Sequence, residues 1–230
     1  MIEFGSETES YAALIGDVVG SRRHGDRARL QRDVKRALAR VNRRLAGALA
    51  APLSLTAGDE VQGLFREPAA VVDAVVEIAD AVVSARLVYG LGFGPLETDL
   101  GPDPALLDGP CFHRAREALT EARGHGAWLV ARGLTAPGDL VVSALFRLLG
   151  ELRSRWTEIQ AEHVAHARGG SQKEVAERLG KAESTVSESL KAAGFQAVLA
   201  GEEALHAVLA RFGPGAESER DSLSQAKRGK

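Results

Sequence analysis

Two glycine–aspartate pairs, Gly16–Asp17 and Gly58–Asp59, with Glu60 next to the second, are the residues whose types and placement suit chemistry. Asp17 follows the apolar run Tyr11–Ile15, and Asp59 sits between the short apolar runs Pro52–Ala57 and Val61–Phe65. Strand-end carboxylates brought side by side make a site for a hard cation such as Mg²⁺ or Mn²⁺. Such an ion takes one or two carboxylates and completes its shell with phosphate oxygens and water. The plainer reading of the same residues is a strand end turned by Asp17, a hairpin turned by Gly58 and Asp59, and a solvated Glu60.

A second chemical signal lies in residues 171–193, SQKEVAERLGKAESTVSESLKAA. Ser171 followed three residues later by Glu174 opens a short helix with a capping box. Gly180 ends it, and Ser184–Ala193 forms another helix with Val186 and Leu190 inward. Two short helices joined by a glycine-containing turn make a helix-turn-helix, whose second helix enters the DNA major groove. Ser184, Thr185, Ser187, Glu188 and Lys191 form its exposed, DNA-facing side. A protein-binding or dimerising helical module is the other reading of this stretch.

The elements that must position these residues follow from periodicity. Residues 1–9 carry no pattern, and a first strand runs to Ile15. Over 26–50, Leu30, Val34, Leu38, Val41, Leu45 and Leu49 recur at helical spacing behind Asp26 as cap. The other face of that helix carries Arg29, Arg32, Arg36, Arg40 and Arg43, either solvated or phosphate-facing. The hairpin comes next, followed by a mostly buried helix over 67–85 that admits Pro68 in its first turn. A strand over 86–94 has glycines at 90, 92 and 94 that allow a backbone to approach one face. After a loop over 95–109, a helix over 112–123 and a strand over 127–131 follow. The order strand, helix, hairpin, helix, strand is the split βαβ pattern of a ferredoxin-like sheet.

The predicted fold class is therefore α+β: a ferredoxin-like βαββαβ domain, residues 10–135, followed by an all-α domain, 139–212, that holds the helix-turn-helix. GLTAPG at 133–138 marks the boundary. Asp139 is read as the cap of a helix carrying Val142, Leu145, Phe146, Leu149 and Leu152, and Trp156–Ala167 continues as a second helix. The tail 213–230 is polar enough to be disordered.

Composition bounds the function. A chain of 230 residues with 45% hydrophobic and 26% charged residues can bury an ordinary core. A net charge of −2 and a pI near 6.3 exclude a general attraction to nucleic acid, so DNA must be met by a local patch. The single cysteine, Cys111, forms no internal disulfide and reads as a small hydrophobe. With no secretory signal and no apolar span of membrane length, the expected location is cytoplasmic and no membrane partner is expected.

The segments IGDVVGSR, LTAGDEVQGLF, DGPCFHRAREAL and SQKEVAERLG resemble the SatD family of bacterial proteins, together spanning residues 11–195. The first three are also similar to class III nucleotide cyclases and, more distantly, to GGDEF-type diguanylate cyclases, with their palm-like sheet. The last is similar to the helix-turn-helix of sigma-factor region four. The cyclase resemblance implies metal ligation by Asp17 and Asp59, with Glu60 as a further ligand. Two ions there would clamp a nucleoside triphosphate. Amides at Val18, Val19, Gly20, Ser21 and Gly58 would meet the phosphates. It implies a transition-state role for Arg116, while Phe112 stands where the family has an asparagine. His113 is displaced by one residue and reads as structural or partly buried. The resemblance implies a homodimeric DNA-binding regulator whose cyclase-like domain binds a nucleotide or divalent metal as a sensor or dimerisation module. Its alternative is a metal-dependent nucleotidyl cyclase or nucleotidyltransferase.

Overall fold

The computed structural model describes residues 9–20, 26–56 and 58–212. The N-terminal segment 1–8, Ser21 and the tail 213–230 lie outside them. The chain opens with β1 (Ser10–Val18), whose residues Ala12 to Leu14 are fully buried. A strand apolar on both faces belongs in the middle of a sheet, and β1 takes that place. It pairs antiparallel with β3 (Glu60–Phe65) on one side and with β4 (Leu87–Pro95) on the other. Outside β3 lies β2 (Leu49–Leu55), and outside β4 lies β5 (Leu129–Arg132), parallel to it. The strand order is β2-β3-β1-β4-β5.

Helices cover both faces. Leu14, Tyr89, Leu91 and Phe65 point toward α1 (Arg27–Arg44) and α2 (Ala70–Ala81). The same buried cluster takes in Val142, Phe146 and Leu149 of α4 (Gly138–Ser154) and Val198, Leu205 and Leu209 of α8 (Phe195–Ala210). On the other face, Ala13, Ile15 and Leu64 meet Cys111, Phe112, Ala115 and Leu119 of α3 (Pro110–His125). Gly90 and Gly92 make that packing possible. A Cβ on Gly92 would stand 2.0 Å from the Cys111 carbonyl oxygen, and one on Gly90 would stand 2.1 Å from that of Ala115. The glycines of this strand thus seat the α3 backbone directly on the sheet, the close approach that their spacing predicts.

The element boundaries bring several corrections. The helix expected over 26–50 ends at Arg44, and Leu49 instead begins β2. Gly47 breaks the helical run, and the apolar spacing of Leu45 and Leu49 suited either period. Pro52 is exposed on the outermost strand, where an N–H is not needed, within the second of two register shifts. Asn42 of α1 serves the irregular strand there, bonding both the N–H and the C=O of Leu53 at 2.8 Å. Asp139 is not a helix cap. Its carboxylate accepts the N–H groups of Gly133 (3.0 Å) and Leu134 (2.8 Å), pinning the loop before α4. The sequence pattern did not single out α8.

The remaining helices are α5 (Glu158–Ala167), α6 (Gln172–Leu179) and α7 (Glu183–Ala192). Their contacts form a separate small core of Val164, Val175, Val186, Leu190 and Phe195. The capping box expected at Ser171 and Glu174 is present in both directions, and Gly180 ends α6 in the left-handed region at φ +61°.

Candidate functional site

β1 and β3 bring the candidate acids together by register. Asp17 is the Cα partner of Glu60, as Ile15 is of Gln62 and Ala13 of Leu64. Alternation along the strands puts all six residues on the face covered by α3. Directly opposed residues of an antiparallel pair carry their Cβ atoms about 5 Å apart, so the two carboxylates are neighbours. Both are mostly covered, with side-chain exposures of 28% for Asp17 and 18% for Glu60.

Helix α3 answers each acid with an arginine. Arg123 reaches Asp17 at 2.9 Å, and Arg116 makes a close ion pair with Glu60. Seven residues separate the two arginines, two turns of helix, so they fall on one stripe. Gln62 adds a hydrogen bond to Glu60 at 2.7 Å. Phe112 is buried at the same end of α3, and with Gln62, Leu107, His113 and Arg116 it lines a cavity of about 440 Å³. His113 is exposed, which removes the partly buried alternative of its reading and leaves the structural one, and its Nε2 lies 2.9 Å from Asp108. Arg114 turns the other way and donates to the Phe93 carbonyl, tying α3 to the end of β4. Cys111 is fully buried, as its reading as a hydrophobe requires, and burial pushes its thiol up to about 11.

Asp59 belongs to the opposite side of the sheet. Its carboxylate accepts from Arg27 at 3.1 Å and from Gln31 at 3.5 Å, both on α1. Gly58 beside it holds the tip at φ +84°. The pairing of Asp17 with Asp59 is therefore replaced by a pairing of Asp17 with Glu60, because Glu60 lies in the strand and Asp59 in the turn before it. Among the described residues no group of three or more His, Cys, Asp and Glu side chains converges as a metal site. A two-ion set resting on Asp17 and Asp59 does not fit this arrangement. Asp17 and Glu60 supply the two hard donors that a single divalent ion accepts, at positions now neutralised by Arg116 and Arg123.

The proposed phosphate cradle is partly committed elsewhere. Val18 is the last residue of β1, paired with Leu87, and the Val19 N–H donates to the Arg86 carbonyl at 2.8 Å. Gly20 turns at φ +71°, and Ser21 lies outside the described residues. The arginine face of α1 is exposed, and part of it is bound to α2. Arg40 and Arg44 both hold Glu77, at 2.5 and 2.6 Å.

In the C-terminal helices, Val186 and Leu190 of α7 are buried, while Ser184, Thr185, Ser187, Glu188 and Lys191 are all exposed. The described site residues read from the sequence thus fall in four places: the α3 face, the end of β1, the α1 side of the hairpin and the outer face of α7. Arg123 was missed by sequence reasoning. Its spacing of seven from Arg116 was the available signal, but only the register of β1 supplies its partner.

Architecture and site define an α+β protein with a five-stranded sheet, an acid pair on one sheet face and a helical C-terminal portion. The chain belongs to the SatD family, whose sequence model matches residues 11–209. No curated protein matches it. Among solved structures it is similar to two of a bacterial light-regulated adenylyl cyclase, each 14% identical, with a TM-score of 0.42. The match covers 57% of this chain and 46% of the solved one, less than half of that protein's length. No helix among the described residues is long and apolar enough to cross a membrane.

Proposed function

We propose that the protein is a DNA-binding regulator in which α6, the Gly180 turn and α7 form a helix-turn-helix and α7 is the recognition helix. The observation that carries this reading is the division of α7, with Val186 and Leu190 inward and five polar residues, Ser184 to Lys191, outward. That is the disposition a helix needs to lie in the major groove while anchored from behind. Residues 171–193 hold four basic and four acidic side chains. Counterion release then contributes little, and affinity rests on contacts to base edges.

In this reading residues 10–135 form a ferredoxin-like βαββαβ unit, extended by β5, that serves as the sensor or dimerisation module, and 139–212 form the DNA-binding portion. A homodimer would present two recognition helices about one turn of DNA apart. A nucleotide or a single Mg²⁺ or Mn²⁺ ion would be held at Asp17 and Glu60, in exchange for their bonds to Arg123 and Arg116. Such an ion would supply charge neutralisation for phosphate oxygens.

The test is a binding titration at fixed salt with duplexes selected from a random library. Thr185→Ala combined with Lys191→Ala should weaken binding about tenfold, within the range for losing a base contact and a phosphate contact. Unchanged affinity in a variant with unchanged circular dichroism would overturn the reading. A second reading, a metal-dependent nucleotidyl cyclase or transferase, draws on the pairing of Asp17 with Glu60, whose partner Arg116 lines the 440 Å³ cavity. Triphosphate consumption with Mn²⁺ that is lost in Asp17→Ala would select it instead.

A further inference from the structure

A second, larger cleft of about 730 Å³ separates α1 and α2 from α5, α6 and α8. Its charges can be matched one by one. Glu77 holds Arg40 and Arg44. Asp80 takes Arg153 at 2.6 Å and Arg168 at 2.6 Å. Glu202 receives both terminal nitrogens of Arg168, at 2.5 and 2.7 Å. Asp73 stands 3.7 Å from Arg44 and 3.8 Å from His206. Every carboxylate on the cleft wall therefore has a guanidinium partner.

One guanidinium is left over. Arg178 of α6 has no carboxylate within ion-pair distance among the described residues, and its neighbour is Nδ1 of His166 at 3.4 Å. His166 and His206, both half-buried, line the cleft with it. Arg178 and His166 thus face the cleft with no carboxylate of the described residues within ion-pair distance, and His206 adds a donor beside them that stands 3.8 Å from Asp73. Beside them Val72, Val76 and Leu199 give the cleft an apolar wall.

We propose that this cleft binds a phosphorylated small molecule of nucleotide size. Arg178, His166 and His206 would be its phosphate donors, and the bonded series Asp80, Arg168, Glu202 its rigid floor. The guanidinium fork matches phosphate oxygens in pairs. The apolar wall suits the non-phosphate part, and the volume lies within the range of small-molecule sites. The site is separate from the acid pair on the α3 face. It also stands apart from the DNA-binding reading, although Arg178 lies on α6 and a bound ligand would therefore touch the helix that supports α7.

The test is calorimetry on the full chain without DNA, titrating ADP and, in a second arm, inorganic phosphate. ADP should bind saturably, and Arg178→Gln should weaken it at least tenfold. The Thr185→Ala, Lys191→Ala pair should leave ADP binding unchanged. Inorganic phosphate binding as tightly as ADP, with the same loss in Arg178→Gln, would support the site and name free phosphate as its ligand. Absence of ADP binding at millimolar concentration would overturn the proposal. So would binding that survives Arg178→Gln and fails in Arg116→Gln, which would move the ligand to the α3 face. Neither result depends on whether α7 binds DNA.

Discussion

Arg168 is the residue whose removal most sharply tests how the C-terminal helices are held to the sheet. It follows α5, and its guanidinium joins Asp80 of α2 to Glu202 of α8. Arg153 of α4 completes the set, stacked over Trp128 and Trp156 at 5.0 and 4.6 Å. The side chains are 8% exposed for Asp80, 9% for Glu202, 13% for Arg153 and 20% for Arg168. Two acids and two guanidiniums therefore share one nearly dry volume. Burial works against the charge of Arg168, yet bonding to Glu202 and the nearby Asp80 carboxylate raise its pKa above the usual arginine value. The Nε contact with Asp80 is close but poorly aligned for a hydrogen bond, so the fork on Glu202 is its directional interaction.

Arg168→Met leaves Glu202 buried without its guanidinium, whereas Asp80 keeps Arg153. Breaking a buried pair from one side costs about 3–5 kcal/mol, and the partial exposure of Arg168 favours about 3. For a chain of this size that corresponds to a fall in Tm of about 6–12 °C. Arg168→Met combined with Glu202→Leu removes one charge of each sign and leaves Asp80 with Arg153, so it should return to within about 1 kcal/mol of the parent. Urea unfolding followed by far-ultraviolet circular dichroism on the two single variants and the double gives the coupling directly. A single-variant loss under about 1 kcal/mol, or a double variant as damaged as the sum of the singles, would refute the reasoning.

Two further outcomes test other parts of the molecule. Gly92→Ala should cost about 3 kcal/mol, at the upper end for overpacking, because the new Cβ meets α3 backbone rather than a movable side chain. Gly124→Ala, where nothing lies within 4 Å, should stabilise by about 0.5–1 kcal/mol in the same assay; equal effects at the two positions would discard the close seating of α3. Glu174 accepts the Ser171 backbone N–H and hydroxyl, which hold its carboxyl below the ordinary 4.5. The stability that this capping box contributes is thus present above the unfolded-state pKa and disappears as pH falls through the depressed folded value. An NMR titration of the Glu174 carboxyl with a midpoint at or above 4.5 would contradict the cap.

The local elements were legible because their causes are local. The glycines at 90 and 92 announced a backbone approach, Ser171 and Glu174 a helix start, and Gly180 its end, since each effect acts within one turn or one strand. Helix α8 escaped notice because Phe195–Ala210 is apolar on several sides and enters from Gly194 without a side-chain cap. The first strand of the hairpin was placed three residues late because Leu49 satisfied the period of the preceding helix as well as that of a strand.

The sequence by itself determined the strands and every helix but α8, the acid-tipped hairpin and the polar outer face of α7. Only the tertiary structure decided which acids face one another. Side chains alternate with period two, so a step of one residue from Asp59 to Glu60 moves a carboxylate from the α1 side to the α3 side, and that register is settled by the cross-strand pairing of Asp17. Likewise the charges at 80, 153, 168 and 202 carry no mark of partnership along the chain. They become one network because α2, α4, the end of α5 and α8 pack together, and burial makes each of them require a partner.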